Sequence, residues 1–280
     1  MRVRAVVKKV VPPLFVDAYR ALRPRRPTWA GVYPGFSAVP AAETRRQEDA
    51  WLDASVDAAG YGAVVPDVLQ EHGFLAILAS ILCKQNGGRL RILEVGGGLG
   101  VSYVQLLHTL TDCGELDYHI VELEWACREG GRRFAGDGRL HYHRTLPPDL
   151  PSIDIVHLTQ ALEYVEDYAD LLTRLSTYRP QYLLLVGLHA GPFATYATGQ
   201  LNMPGAVVPQ WFFNLDEVVG ILRACDYRLV FKGAEDSVVD QHNFPEAYRL
   251  PGGCPLVLLF ARHGSRSSSA DWSSARSGSR

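Results

Sequence analysis

From about residue 68 to residue 263 the apolar positions of this 280-residue chain switch repeatedly between two periods. Short apolar runs bounded by turn residues read as buried strands over 91–95, 118–122, 139–143, 153–159 and 182–187. Between them the apolar residues recur at helical spacing over 101–110, 124–134, 166–177 and 214–225. A helix over 67–84 precedes the first strand and is stopped by Asn86-Gly87-Gly88. Asn214-Leu215-Asp216-Glu217 has the form of a capping box, with Phe213 placed to staple onto Val218. Strands alternating with helices predict a parallel sheet covered on both faces. The final runs, 227–232 and 255–262, have no helical pattern between them and are expected to pair antiparallel.

The flanks change that picture. Residues 1–67 are rich in Arg, Pro and Ala with scattered aromatics, and read as a basic extension and cap on the 68–263 domain. The Ser/Arg/Gly tail, 264–280, is expected to be disordered. Net charge is −2, which gives no overall attraction to nucleic acid, yet residues 1–27 hold eight of the 28 Lys/Arg and one of the 30 Asp/Glu. That segment mixes basic with apolar residues, so it is a solvated arm or a peripheral contact for an anionic membrane surface. Lys8 and Lys9 split its apolar stretch, which argues against a signal peptide. No apolar run reaches the roughly 18 residues of a spanning helix. Five cysteines without a C-x-x-C pair argue against a disulfide framework or zinc site and suit a reducing compartment. A cytoplasmic protein is the expectation, with peripheral contact to the inner face of the membrane as its open extension.

Chemistry concentrates after the first strand. The apolar run 91–95 carries Glu94 and then breaks into Gly96, Gly98 and Gly100 ahead of the 101–110 helix. Strand, glycine turn and helix bring backbone close to a ligand and helix N–H groups to an anion. A dinucleotide fingerprint requires G-x-G-x-x-G, but counted from Gly96 the sixth position is Val101, and the pattern is E-x-G-x-G-x-G. Glu122 ends the second strand, where doubly wound sites place an acid against ribose hydroxyls.

This pattern resembles the first motif of the Rossmann-like S-adenosylmethionine-dependent methyltransferases. The resemblance implies an α/β fold: a Rossmann-like, seven-stranded, mostly parallel sheet closed by a C-terminal antiparallel hairpin, here with an N-terminal helical extension. It also implies S-adenosyl-L-methionine as cofactor. Its carboxylate would meet the helix start after Gly100, its ribose Glu122, and its ammonium Glu94 through water. Gly96 and Gly98 would admit it to the backbone, with Thr159 and Gln160 near the transferred methyl and Leu162 beside the adenine. Trp125 is a candidate to lie against the adenine, although an aromatic on a helix reads more simply as core. Gln85-Asn86-Gly87-Gly88, Tyr103, Leu162-Glu163-Tyr164 and Pro209-Gln210-Trp211-Phe212-Phe213-Asn214 resemble a bacterial methyltransferase family associated with surface-polysaccharide biosynthesis. The chain departs from that family at Glu163, where a glutamine is usual, and at Val186-Gly187, where an Asp-Arg pair is usual.

The function expected is methyl transfer to an oxygen or nitrogen of a small-molecule or glycan acceptor. His189, just past the fifth strand at the ligand-binding edge, is the candidate general base, with Glu163 as a second candidate. His157 falls mid-strand and reads as a satisfied core histidine. His141 and His143 share a strand face but lack a spaced acidic or thiol partner, so no metal is expected. The 188–210 segment reads as a long loop that, with residues 28–66, roofs the acceptor and carries Trp211. Two other readings stay open: a protein that binds the cofactor without catalysis, and a nicotinamide-nucleotide-dependent oxidoreductase or epimerase.

Overall fold

The computed structural model describes residues 27–40, 73–201 and 207–264. Most of the basic arm, the aromatics Trp51 and Tyr61, the start of the helix expected at 67 and the tail beyond 264 lie outside the described residues.

Seven strands form the main sheet: β2 (Arg89–Val95), β3 (Glu115–Val121), β4 (Leu140–His143), β5 (Ile155–Thr159), β6 (Tyr182–Leu188), β10 (Tyr227–Ala234) and β11 (Leu256–Arg262). Their order is β10-β11-β6-β5-β2-β3-β4. The β2, β3, β4, β5 and β6 neighbours run parallel, and β11 pairs antiparallel with both β6 and β10. The expected closing hairpin is therefore present.

Strands such as Leu183–Leu188 are apolar at successive positions because both faces are covered. On one face Leu75, Ala79 and Leu82 of α1 (Gly73–Gln85) and Tyr103 and Leu106 of α2 (Val101–Thr109) pack on Ile92, Tyr118, Ile155 and Leu184. On the other, Leu172 and Leu175 of α4 (Tyr168–Thr177) and Val218 and Leu222 of α5 (Leu215–Ala224) pack on Leu93, Val156, Leu183 and Phe260. Helix α3 (Glu124–Arg133) lies so close to β4 that a side-chain carbon at Gly130 would collide with the Tyr142 ring. Asn214 caps α5 by accepting from Glu217 N, as the capping box predicts. The reciprocal half is absent: the Glu217 carboxylate instead accepts from Tyr168 and Thr195 hydroxyls at 2.5 and 2.6 Å. Among the described residues no helix is long and apolar enough to cross a membrane.

Two expectations are corrected. The 188–210 segment is not an open loop. Beyond β6 it folds into β7 (Ala190–Gly191), β8 (Tyr196–Gln200) and, from 208, β9 (Val208–Asn214), which join β1 (Trp29–Tyr33) in a second sheet ordered β1-β8-β9-β7. The described part of the N-terminal extension is thus a strand followed by one 3-10 turn, Phe36–Ala38, rather than helix. Its register pairs Trp29 with Gln200 and Tyr33 with Ala197, 160 or more residues away in the chain. No local period announces such pairing, because a strand's backbone partners are supplied by the fold.

The second correction concerns Cys83 and Cys113, which form a disulfide. They end α1 and follow α2 respectively, and Gly88, which follows α1, accepts a backbone hydrogen bond from Glu115 at 3.0 Å. Helix packing creates that proximity, and the 30-residue separation gives no hint of it in the sequence.

Phe213 belongs to the second sheet yet is fully buried in the α4/α5 side of the main core, 4.9 Å from the Tyr168 ring. Phe213→Ala is expected to cost about 3–5 kcal/mol, read as a drop in the urea midpoint. Unfolding should stay a single transition by both tryptophan fluorescence and circular dichroism. Separate transitions would show the second sheet to be an independent unit.

Candidate functional site

The chain leaves β2 toward β3 on one side, while β5 continues to β6 on the other, so the carboxyl ends of β2 and β5 form the topological switch point where ligands bind in such sheets. Two turns meet there, 96–100 after β2 and 160–164 after β5. Gly96 has φ +77°, and a side-chain carbon on it would collide with Ala161. Gly98 also has a left-handed backbone, at φ +54°, but the space where its side chain would stand is open. Gly100, again left-handed, is the N-cap of α2, and no side chain caps the helix. The first turn of α2 therefore presents N–H groups and the positive end of the helix dipole at the switch point.

Beneath the turn lies Glu94, 1% exposed. Its Oε1 accepts from Ser102 Oγ at 2.7 Å and meets His157 Nδ1 at 3.1 Å, and its Oε2 accepts from Tyr118 Oη at 2.8 Å. Burial pushes the carboxyl upward, but His157, Ser102 and Tyr118 outweigh it and hold Glu94 below its ordinary value. The carboxylate is enclosed by protein, which corrects the expectation that it reaches an ammonium through water. Its contacts are to the strands and helix that carry the turn. His157 is fully buried, with Nε2 2.8 Å from Thr159 Oγ1, and is the core histidine expected.

Glu122 closes the far side. Its Oε1 accepts from Gly98 N at 3.0 Å and its Oε2 from Leu123 N at 2.6 Å. Burial raises its pKa despite those two N–H donors. Glu124, its neighbour, is exposed and pairs with Arg144 at 2.8 Å. Trp125 packs on Leu99 of the glycine turn, beside the same edge.

The second turn carries the other candidates. Gln160 is exposed and holds a left-handed backbone at φ 47°, a conformation rare outside glycine. Gly187 is required beneath it, since a side-chain carbon there would collide with Gln160. This gives the Val186-Gly187 departure a physical reason. Leu162 is buried in the α4/α5 core, which corrects its placement beside an adenine. Glu163 is fully buried and its Oε1 accepts from His189 N at 3.2 Å, so the two candidate catalytic residues come together. Burial lifts the Glu163 pKa to about 8 and drops that of His189 to about 4, so both are neutral near pH 7. The His189 ring stacks on Phe212 at 4.8 Å and meets the edge of Trp29 at 5.6 Å. Trp211 is not part of this group. It points the other way from β9, between Phe36 and Tyr168, with Nε1 donating to Val165 O at 3.1 Å.

Sequence reasoning missed Ser102 and Tyr118, which hold Glu94, Gln200, which accepts from Tyr164 next to Glu163, and Gln210, which lies across from Thr198 in the second sheet. Ser102 had a signal: a small hydroxyl residue in the first turn after the glycines. Among the described residues no group of three or more His, Cys, Asp or Glu is placed to hold a metal ion. His119, His141 and His143 are engaged with one another and with Asp117, the His119–His143 contact being 2.9 Å.

No protein-family model matches the chain, and no curated protein matches it in sequence. Solved structures do match in fold. In a Haloferax volcanii complex of the Trm112 methyltransferase activator with its candidate methyltransferase, the matched chain is 13% identical at a TM-score of 0.51. The match covers 79% of this chain and 97% of that one. The Burkholderia thailandensis 1,6-didemethyltoxoflavin-N1-methyltransferase, solved with 1,6-didemethyltoxoflavin and S-adenosylhomocysteine, is 16% identical at 0.48 over 80% of this chain and 92% of that one. The Micromonospora echinaspora aminopentose methyltransferase CalS10, solved with S-adenosylmethionine, is 16% identical at 0.45 over 74% and 96%. At such identities the likeness is one of fold: this chain has the Rossmann-like, seven-stranded architecture found in methyltransferases.

The Glu163 proton is measurable. The folded chain holds it where the unfolded chain, with a carboxyl near 4.5, has released it. That contribution to stability is complete below pH 4.5 and is lost as pH rises toward 8. His189 works in the opposite sense and lower, losing stability as pH falls from 6.5 toward 4. Between pH 6.5 and 8 only Glu163 of this pair changes. Glu163→Gln should gain about 2 kcal/mol over the parent across that window, read by urea unfolding at the two pH values. Parallel pH profiles for parent and variant would show that Glu163 is ionised in the fold.

Proposed function

We propose that this protein is an enzyme that transfers a methyl group from S-adenosyl-L-methionine to an oxygen or nitrogen of a small-molecule or glycan acceptor. One observation carries the reading. Gly98 faces open space, its N–H is held by Glu122, and the turn it belongs to runs into the uncapped N-terminus of α2. The donor set fits the cofactor. Helix N–H groups after Gly100 suit its carboxylate, and Glu122 is an acid at the strand end for its ribose. Gly98 leaves its backbone-facing side unobstructed while Gly96 lets the turn close on Ala161, and the exposed Gln160 and half-buried Thr159 flank the switch point. Trp125 beside Leu99 supplies an apolar surface for the base. Glu94 serves by fixing Ser102, and through it the first turn of α2.

The cofactor, when bound, supplies an electrophilic methyl on a sulfonium. The chain then has to hold an acceptor in line with that methyl, exclude water and, for a protonated nucleophile, take up a proton. His189 is the unprotonated group of the buried pair and is assigned the base. Glu163, which keeps its proton up to about pH 8, is assigned a donor role toward the acceptor. The described part of the N-terminal extension brings Trp29 to His189, which supports the roofing role expected of residues 28–66. Residues 1–27 resting on an anionic membrane surface complete the proposal, while the Cys83–Cys113 bond removes the support that the cysteine pattern gave to a reducing, cytoplasmic compartment. Liposome sedimentation at low salt should pellet the full chain better than one lacking residues 1–27, and equal pelleting would remove the membrane contact.

Calorimetric titration with S-adenosylhomocysteine tests the central reading. The parent chain is expected to bind, and Gly98→Val to lose binding while staying folded. Glu122→Ala should weaken affinity by about 1–3 kcal/mol, since it removes both the charged acceptor and the hold on Gly98. Glu124→Ala should leave affinity unchanged. Normal binding by Gly98→Val would place the cofactor elsewhere.

A further inference from the structure

One face of the second sheet carries an unusual polar group. Trp29 lies opposite Gln200, Thr198 opposite Gln210, and Tyr196 opposite Phe212. Cross-strand partners point to the same side, so these six side chains share a face. His189 stacks on Phe212 of that face, and Tyr164 donates to Gln200 Oε1 at 3.0 Å, which brings the turn bearing Glu163 against it. Four atoms in this group are buried without a hydrogen-bond partner: Trp29 Nε1, Glu163 Oε2, His189 Nδ1 and Gln210 Oε1. Their residues are all at most 8% exposed. A buried polar atom left unpaired is costly, and native chains keep few of them. Four within one neighbourhood call for a ligand that answers them.

Resting on the methyl-transfer reading for the word acceptor, the geometry points to this face as the acceptor-recognition wall, built for an uncharged, hydroxyl-rich ring such as a neutral pyranoside.

The mixture of unmet groups selects the chemistry. Trp29 Nε1 can only donate, and Gln210 Oε1 can only accept. An ammonium has no acceptor to offer Trp29. A carboxylate or phosphate has no donor to offer Gln210. A hydroxyl does both, and a ring bearing several can meet groups spread over two strands and a turn. The rings of this face are themselves buried, with Phe212 stacked on both His189 and Tyr196 and met at its edge by Phe244, so they hold the polar atoms in place and leave recognition to hydrogen bonds. The electrostatics agree. Burial leaves both Glu163 and His189 uncharged near pH 7, so the wall offers no counter-ion. The one further charge that acts on Glu163 is Glu235, whose sign disfavours an anion.

The test begins with S-adenosylhomocysteine-loaded protein and saturation-transfer NMR. The probes are the methyl glycosides of glucose, galactose, mannose and a 6-deoxyhexose, with methyl glucuronide and methyl glucosaminide as charged counterparts on the same ring. At least one neutral glycoside should give a signal several-fold above both charged ones. Gln210→Leu and Trp29→Phe should each lower it several-fold while leaving the affinity for S-adenosylhomocysteine unchanged. Gln210→Leu removes an unanswered amide oxygen and should not lower the thermal midpoint. The assignment is overturned if no neutral glycoside binds, if a charged one binds as well or better, or if both variants retain the signal. Failure of S-adenosylhomocysteine itself to bind would count against the methyl-transfer reading, and the glycoside panel on the unloaded chain would still decide the wall.

Discussion

The buried carboxylate of Glu94 is the constraint on which the site depends. It sits on β2 and is held by Ser102 from α2, Tyr118 from β3 and His157 from β5. Four elements are therefore locked together directly beneath the glycine turn. A charge in the interior is tolerated only when it is answered, and removing one partner of such a set is far more damaging than the set is stabilising. The turn has no freedom to relax into this space: a side-chain carbon at Gly97 would stand 2.5 Å from Glu94 Oε2. The path of the backbone from Gly96 to Gly100, and with it the direction of the first N–H groups of α2, follows from where that carboxylate is fixed.

The second sheet extends this rigidity to the other side of the switch point. A Rossmann-like sheet leaves its carboxyl edge bare, and here the chain covers the region after β6 with four short strands rather than a loop. Alternation along β9 divides the labour. Trp211 and Phe213 face the main core and anchor the sheet, while Gln210 and Phe212 face Trp29 and His189. Both faces of β8 and most of β9 are buried. Burial explains why Glu163 and His189 are neutral, since water is excluded from around them.

The departure at Val186-Gly187 fits the same pattern. Gln160 takes a left-handed backbone at the end of β5, and its side chain lies where any residue other than glycine at 187 would stand. Strain of this kind concentrates where an edge is built to meet a ligand. The two turns at the switch point are thus shaped by steric exclusion on each side, Ala161 against Gly96 and Gln160 against Gly187.

Much was legible in the sequence because it is written in local periods. The strand and helix order, the closing hairpin, the Asn214 cap, the glycine turn and the position of Glu122 each follow from patterns spanning fewer than about 15 residues. Tertiary structure decided the rest. The pairing of Trp29 with Gln200, the Cys83–Cys113 bond, the second sheet, the enclosure of Glu94 and the burial of Leu162 all join residues far apart in the chain. The protonation of Glu163 belongs with them. A carboxyl reads the same in any sequence, and only the apolar surroundings assembled by folding remove the water that would keep it ionised.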